Sequence, residues 1–209
     1  ALPALAVKGR RATRLDLAEW LVSKENPLTA RVTVNWIWAE LFGRGLVKSV
    51  DDFGLRGDKP SHPELLDALA YEFREDGWSI KRLVRRIVLS STYKQSSKVR
   101  PELKDTDPDN ALLARQNRVR MPAELLRDAA LTASGLIALQ VGGKSVMPPQ
   151  PAGVVELGYG ARGWGLGWNE SQGAQKYRRG LYIHFQRTTP YPMLVNFDAP
   201  KSTVVACKR

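Results

Sequence analysis

Apolar residues recur at three- and four-residue spacing through the first two thirds of this chain, and the regular period fails in its last third. The clearest run follows Asn26. Pro27 suits a first helical turn, where a missing N–H costs nothing, and Leu28, Val32, Asn35/Trp36 and Ala39/Leu41 give a helix to Phe42 with one buried face. Gly43 is placed to end it. Before it, Thr13 and Asp16 have the form of a capping box for a short helix carrying Leu15, Ala18, Trp20/Leu21 and Val22. After it, Ser61 and Glu64 read as a second capping box, opening a helix with Leu65, Leu66, Leu69, Ala70 and Phe73 on one side. Ser79 opens the next, with Ile80, Leu83, Val84, Ile87 and Val88 inward and Lys81, Arg82, Arg85 and Arg86 outward.

Residues 94–110 are polar and rich in breakers and read as a loop. Asp107-Pro108 then predicts a short helix through Arg115. Pro122 predicts the last clear one, with Leu125, Leu126, Ala129, Ala130, Ala133 and Ile137 aligned. From Gln140 the chain turns to glycine, proline and tryptophan, as in PPQPAGVVELGYGARGWGLGWNESQG, which sustains neither period. Residues 180–185 alternate well enough for one short strand. The expected fold is therefore mainly α: five or six helices around Trp20, Trp36, Leu69, Phe73, Leu83, Ile87 and Leu126. Residues 1–138 are expected to form a helical core. Residues 139–209 form a mostly coil segment of the same domain that wraps over it, with a small strand pair at most.

Composition changes this picture in three places. The net charge of +11, from 32 Lys and Arg against 21 Asp and Glu, is spread along the chain and favours polyanionic partners. Its bland counterpart is a solvated basic face, and the same choice applies to the cations at 81–86, which could grip phosphate or sulfate. One cysteine, Cys207, excludes an internal disulfide and any multi-cysteine metal site, and two histidines, His62 and His184, exclude a histidine-rich centre. The first residues resemble no signal peptide, no apolar run is long enough to span a bilayer, and both ends read as cut from a longer protein.

Candidate chemistry is sparse. The first two helices make a helix–turn–helix pair, but it lacks the turn glycine and a basic reading face, so nucleic acid is not an expected partner. Asp51, Asp52, Asp58 and His62, with Arg44 and Arg56 nearby, are the residues closest to a hydrolytic or metal-assisted centre. Charge-paired aspartates that fix a loop are the competing and favoured reading, and no metal site is assigned. Tyr159, Arg162, Trp164, Trp168, Arg178, Arg179 and Tyr182 could form a platform that stacks sugars and holds acidic substituents. Against that stands the ordinary use of aromatics, which is to anchor irregular chain to a core.

The words NPLTAR at 26–31, FGRGL at 42–46 and DFG at 52–54 stand in order with SHPELLDALAYEFREDGWSIKRLVRRIVLSSTYKQSS, RMPAELLRDAALTASG, YRRGLY and FDAP. Together, from about Leu17 to Arg209, they resemble the planctomycete PSD1 module, also called DUF1553. The resemblance implies a part of large exported envelope proteins, in the periplasm or at the cell surface, preceded by cytochrome-c-like and DUF1549-like regions. It carries over no catalytic residue. Any haem would belong to the upstream region, since this chain has no Cys-x-x-Cys-His, and no other cofactor is implied. The family pattern continues past Cys207 into a further helix. The resulting expectation is a non-catalytic binding or assembly module that meets acidic polysaccharide. The alternatives are docking onto an acidic, cytochrome-like partner domain, or an enzyme centred on residues 51–62.

Overall fold

The computed structural model describes residues 3–5, 7, 9–154, 167–197 and 199. The chain divides into two compact units, Ala1–Val119 and Arg120–Arg209. The boundary expected at 138/139 falls inside the second unit, and the helix that begins after Pro122 belongs there. Helices dominate the first unit and are the main regular structure of the second, and among the described residues strand pairing is limited to two isolated bridges, Ala138 with Arg178 and Val146 with Ile183.

The first unit carries α1 (Arg14–Val22), α2 (Leu28–Phe42), α3 (Pro63–Glu75), α4 (Ile80–Leu89) and the single turn α5 (Ser91–Lys94). The capping box on α1 is present as the sequence implies, with Thr13 and Asp16 each bonded to the other's backbone N–H. Helix α1 nevertheless buries none of its residues: Leu15, Leu17, Leu21 and Val22 lie exposed and Trp20 is half-buried, its indole N–H donating to the Pro3 carbonyl. Trp20 is thus not a core residue.

Helix α2 is the axis of the unit. Pro27 already has helical backbone angles, and the side chain of buried Asn26 accepts from the Leu28 and Thr29 N–H groups, so Asn26 caps and Pro27 occupies the first turn. The buried face is the i, i+4 line Ala30, Val34, Trp38 and Phe42, joined by Asn35. Trp36, expected inside, is 54% exposed and its indole reaches the Val50 carbonyl. Trp38 takes the central place, stacked on Phe42 with ring centroids 4.2 Å apart. Helices α3 and α4 close the core with Leu66, Leu69, Ala70, Phe73, Leu83 and Ile87, as the three- and four-residue spacing predicts.

The second capping box does not form. The Ser61 hydroxyl turns to the Leu46 carbonyl and to the His62 ring, and α3 starts with Pro63 and no side-chain cap. Ser79 does cap α4, accepting from the Arg82 N–H. The helix expected at 108–115 is absent. There the Asp107 carboxylate accepts from the Ala111 and Leu112 N–H groups and Asn110 takes a positive φ of 52°, which breaks the helical path.

The loop leaving α2 is held by one side chain. Asn35 is fully buried; its carboxamide donates to the Val47 carbonyl (3.0 Å) and accepts from the Val47 N–H (2.9 Å). The chain lies so close over this amide that a Cβ at Gly45 would fall 2.6 Å from its nitrogen. Only glycine fits there.

In the second unit α6 (Ala123–Ala133) and α7 (Pro192–Asn196) pack around Ala123, Ile183, Tyr191 and Leu194. The stripe expected on α6 is displaced. Leu125 is exposed and Leu126 only half-buried, while Ala123, Arg127 and Asp128 face inward. The segment at 180–185 is a 3-10 turn over Gly180–Tyr182 that meets Val146 by a single bridge, instead of a strand.

Two outcomes follow. Asn35→Ala leaves both Val47 backbone groups unpaired and is expected to cost about 3 kcal/mol in urea unfolding followed by ellipticity. Asn35→Asp keeps the acceptor and loses the donor, so its deficit should shrink at acidic pH, where the carboxyl group can donate again. The second concerns α1. Hydrogen bonds from Arg10 first, and then from Thr13, hold the Asp16 carboxyl well below the usual carboxylate range. A depressed acid contributes its stabilisation above the ordinary carboxylate pKa of about 4 and loses it as pH falls through the lower folded value. The Thr13 amide signal should therefore persist through the pH at which an ordinary aspartate protonates, and Asp16→Asn should abolish the transition.

Candidate functional site

The first candidate cluster lies on the loop between α2 and α3. Ser49, Asp52 and Gly57 fold this loop on itself: the Ser49 hydroxyl donates to the Asp52 carbonyl and accepts from the Asp58 N–H, and the Asp52 carboxylate accepts from the Gly54 N–H. Asp52 is therefore a turn residue. Asp51, Arg56 and Asp58 are exposed, and half-buried His62 rests on the Ser61 hydroxyl at 3.0 Å. Arg44 reaches away from these aspartates to Asp109, which Lys48 also approaches at 3.8 Å. In place of the ion pairs expected inside the loop, Arg44 and Lys48 both pair with Asp109 on a distant turn. Among the described residues no three His, Cys, Asp or Glu side chains gather closely enough to hold a metal ion.

The second candidate set lies in the second unit. Tyr159, Arg162 and Trp164 fall outside the described residues. The other four have definite places. Trp168 stacks on Tyr191, with centroids 5.8 Å apart, and donates its indole N–H to the Pro148 carbonyl. Arg178 is 1% exposed. Its guanidinium donates to the carbonyls of Lys144 (3.0 Å), Gln140 (3.1 Å) and Gly142 (2.5 Å) and lies 3.7 Å from the Tyr182 ring centroid. The Tyr182 hydroxyl in turn accepts from the Gly142 N–H. Together they wind residues 140–144 around a buried cation, and Arg178 offers no donor to an outside ligand.

Arg179 points the other way, to Asp128 at 2.7 Å, and that carboxylate raises the guanidinium above its ordinary pKa. Asp128 also accepts from the Gly180 N–H at 2.6 Å, while Arg127 donates to the Lys176 carbonyl and lies over the Tyr191 ring. Gly180 is pressed against α6, where a Cβ would meet the Glu124 backbone at 2.6 Å. These contacts explain the polar inner face of α6. Sequence periodicity missed Arg127 and Asp128 because the apolar stripe of Leu126, Ala129, Ala130 and Ala133 pointed to a different face of the helix. No local signal marks them, since their partners are the Lys176 carbonyl, the Gly180 N–H and Arg179, about fifty residues away.

The basic face of α4 separates into two. Arg82 and Arg86 pair with Asp76 and Glu72 at the end of α3. Lys81 and Arg85 are exposed and pair with no carboxylate among the described residues. Ile80 and Leu89, the first read as inward, are more than half exposed.

The fold and these placements define a mainly helical protein whose irregular segments are pinned by buried polar side chains. The chain belongs to the PSD1 family, proteins of unknown function (DUF1553), whose model matches residues 13–209. No curated protein and no solved structure matches it.

Arg178 provides a test of this reading. Arg178→Ala strips three carbonyls of their donor and should destabilise the second unit by about 3 kcal/mol or more. Arg178→Lys should recover less than half of that, because an ammonium cannot fork across the three positions. A ligand-gripping arginine would instead lose binding with unfolding unchanged.

Proposed function

We propose that this chain is a non-catalytic binding and assembly module of an exported multidomain protein, and that its basic surface meets an acidic surface of another domain. One observation carries the reading. The polar groups best suited to chemistry (Asp52, Arg178, Asp128) are engaged in holding the backbone, whereas cations such as Lys81 and Arg85 stay exposed, with no carboxylate partner among the described residues, in a chain of net charge +11. Unpaired surface charge of one sign steers association and selects partners of the opposite sign. By family resemblance the nearest such partners are the DUF1549-like and cytochrome-c-like regions upstream, and a haem in the latter would place the module beside an electron carrier.

A second reading, acidic polysaccharide as the ligand, keeps support from half-exposed Arg179 beside Tyr182 and from half-buried Trp168, four residues from Trp164 in the sequence. Arg178 drops out of that platform.

The two readings separate in one experiment. The chain is titrated calorimetrically against the upstream region of its parent protein, and run in gels containing sulfated or uronic polysaccharide, at about 50 and 300 mM salt. Salt-sensitive binding to the upstream region, with unchanged mobility in the gels, is the expected outcome. Retardation in the gels without binding to the upstream region would replace the assembly reading with the polysaccharide one.

A further inference from the structure

Helix α4 has a second apolar side. At about 100° per residue, Leu83 and Ile87 share the side turned to the core, and Arg82 and Arg86 follow on the flank that pairs with α3. On the opposite flank Ile80, Val84 and Val88 form an i, i+4 line, then come Lys81 and Arg85, and then Leu89. These six residues line an open groove of about 470 Å³. Ile80 is 56% and Leu89 54% exposed, so both ends of this flank stand open to solvent while Leu83 and Ile87 anchor the helix behind.

We infer that this flank of α4 is the docking surface for an amphipathic helix of an acidic partner, one that presents apolar side chains at i, i+4 spacing beside a row of carboxylates. The inference rests on the assembly reading and names its contact. The order of side chains around α4 selects the occupant. Lys81 and Arg85 stand between the Ile80–Val84–Val88 line and Leu89, within the groove itself. A lipid surface wants apolar and cationic residues on separate faces, with the cations at the rim, so a membrane laid here would drive both cations into hydrocarbon. A helix can instead set its own carboxylates opposite them while its apolar residues meet the line beside them. A second copy of this chain is disfavoured for a related reason. A two-fold contact would bring this flank against itself, cation against cation, between two molecules of net charge +11. From Ile80 to Leu89 the flank is about 14 Å long, room for two to three turns of a partner helix.

The test uses the full chain and three probes: a synthetic helical peptide with leucines at i, i+4 and glutamates along one flank, its lysine counterpart, and phosphatidylserine vesicles. The glutamate peptide is expected to bind. Lys81→Glu with Arg85→Glu should weaken it by about tenfold or more, and Ile80→Ser with Leu89→Ser should do likewise, while Lys59→Glu with Lys98→Glu leaves it unchanged. The lysine peptide should bind the Lys81→Glu, Arg85→Glu variant better than the parent chain. All the substituted side chains are exposed, and unchanged ellipticity checks that the fold persists. Equal weakening by the Lys59 and Lys98 changes, or stronger binding to vesicles than to the peptide, overturns the α4 surface. Failure of the peptide with salt-sensitive binding to the upstream region intact overturns α4 alone. Failure of both removes the assembly reading as well.

Discussion

The structure depends on one constraint: backbone polar groups buried in irregular chain must find partners. Sheets satisfy that demand by pairing strands, and this chain has almost no sheet among its described residues. Buried polar side chains do the work instead. Asn35 pairs with both backbone groups of Val47, Asn110 with both of Arg115, and Asn117 donates to the carbonyl at the end of α2. In the second unit Arg178 collects three carbonyls and Asp128 receives a glycine N–H. A carboxamide suits a single strand of backbone because it carries a donor and an acceptor side by side. A guanidinium suits a coil that turns its carbonyls inward, because its donors fan out from one centre.

That constraint also separates what could be read in the sequence from what could not. Helices α3 and α4 were legible because their inner positions are apolar and their neighbours charged, so the period had one solution. Helix α2 was legible as a helix but not in orientation. It is apolar on several sides, and spacing alone could not rank Trp36 below Trp38. The deciding fact was the position of Asn35, which must face inward to reach Val47, and that distant backbone group has no local sequence signal. Helix α6 failed for a complementary reason. Its leucines suggested a greasy inner face, yet the segment packed on it presents an N–H and a carbonyl, and these select Asp128 and Arg127.

The same logic bears on the candidate sites. A cluster of Asp, Arg, Tyr and Trp in a glycine-rich stretch has the composition of a binding platform, and also of a coil that anchors itself. Burial distinguishes them. Arg178 is enclosed and both of its terminal nitrogens are bonded to main chain, so its presence between Tyr177 and Arg179 reflects the needs of residues 140–144. Asp52 and Asp107 likewise spend their carboxylates on nearby N–H groups. The family-specific words in the sequence follow this pattern. Asn26-Pro27 is a cap, Gly45 a close approach to Asn35, and Asp52-Phe-Gly54 a turn.

Function is then best sought among the residues that the fold leaves over. Helix α1 is capped at its start yet buries nothing, and the outer flank of α4 is apolar though its inner side is fully packed. Neither placement helps this chain by itself, since exposed leucine and isoleucine gain nothing from water. On α4 the excess stands beside Lys81 and Arg85, which have no carboxylate partner among the described residues, while Arg82 and Arg86 pair with Asp76 and Glu72. In the docking proposed for α4 the apolar line would supply contact area and the two cations would select for carboxylates opposite them. The polar residues of the interior hold the fold together, and the proposed assembly role rests on what that fold leaves at the surface of α4.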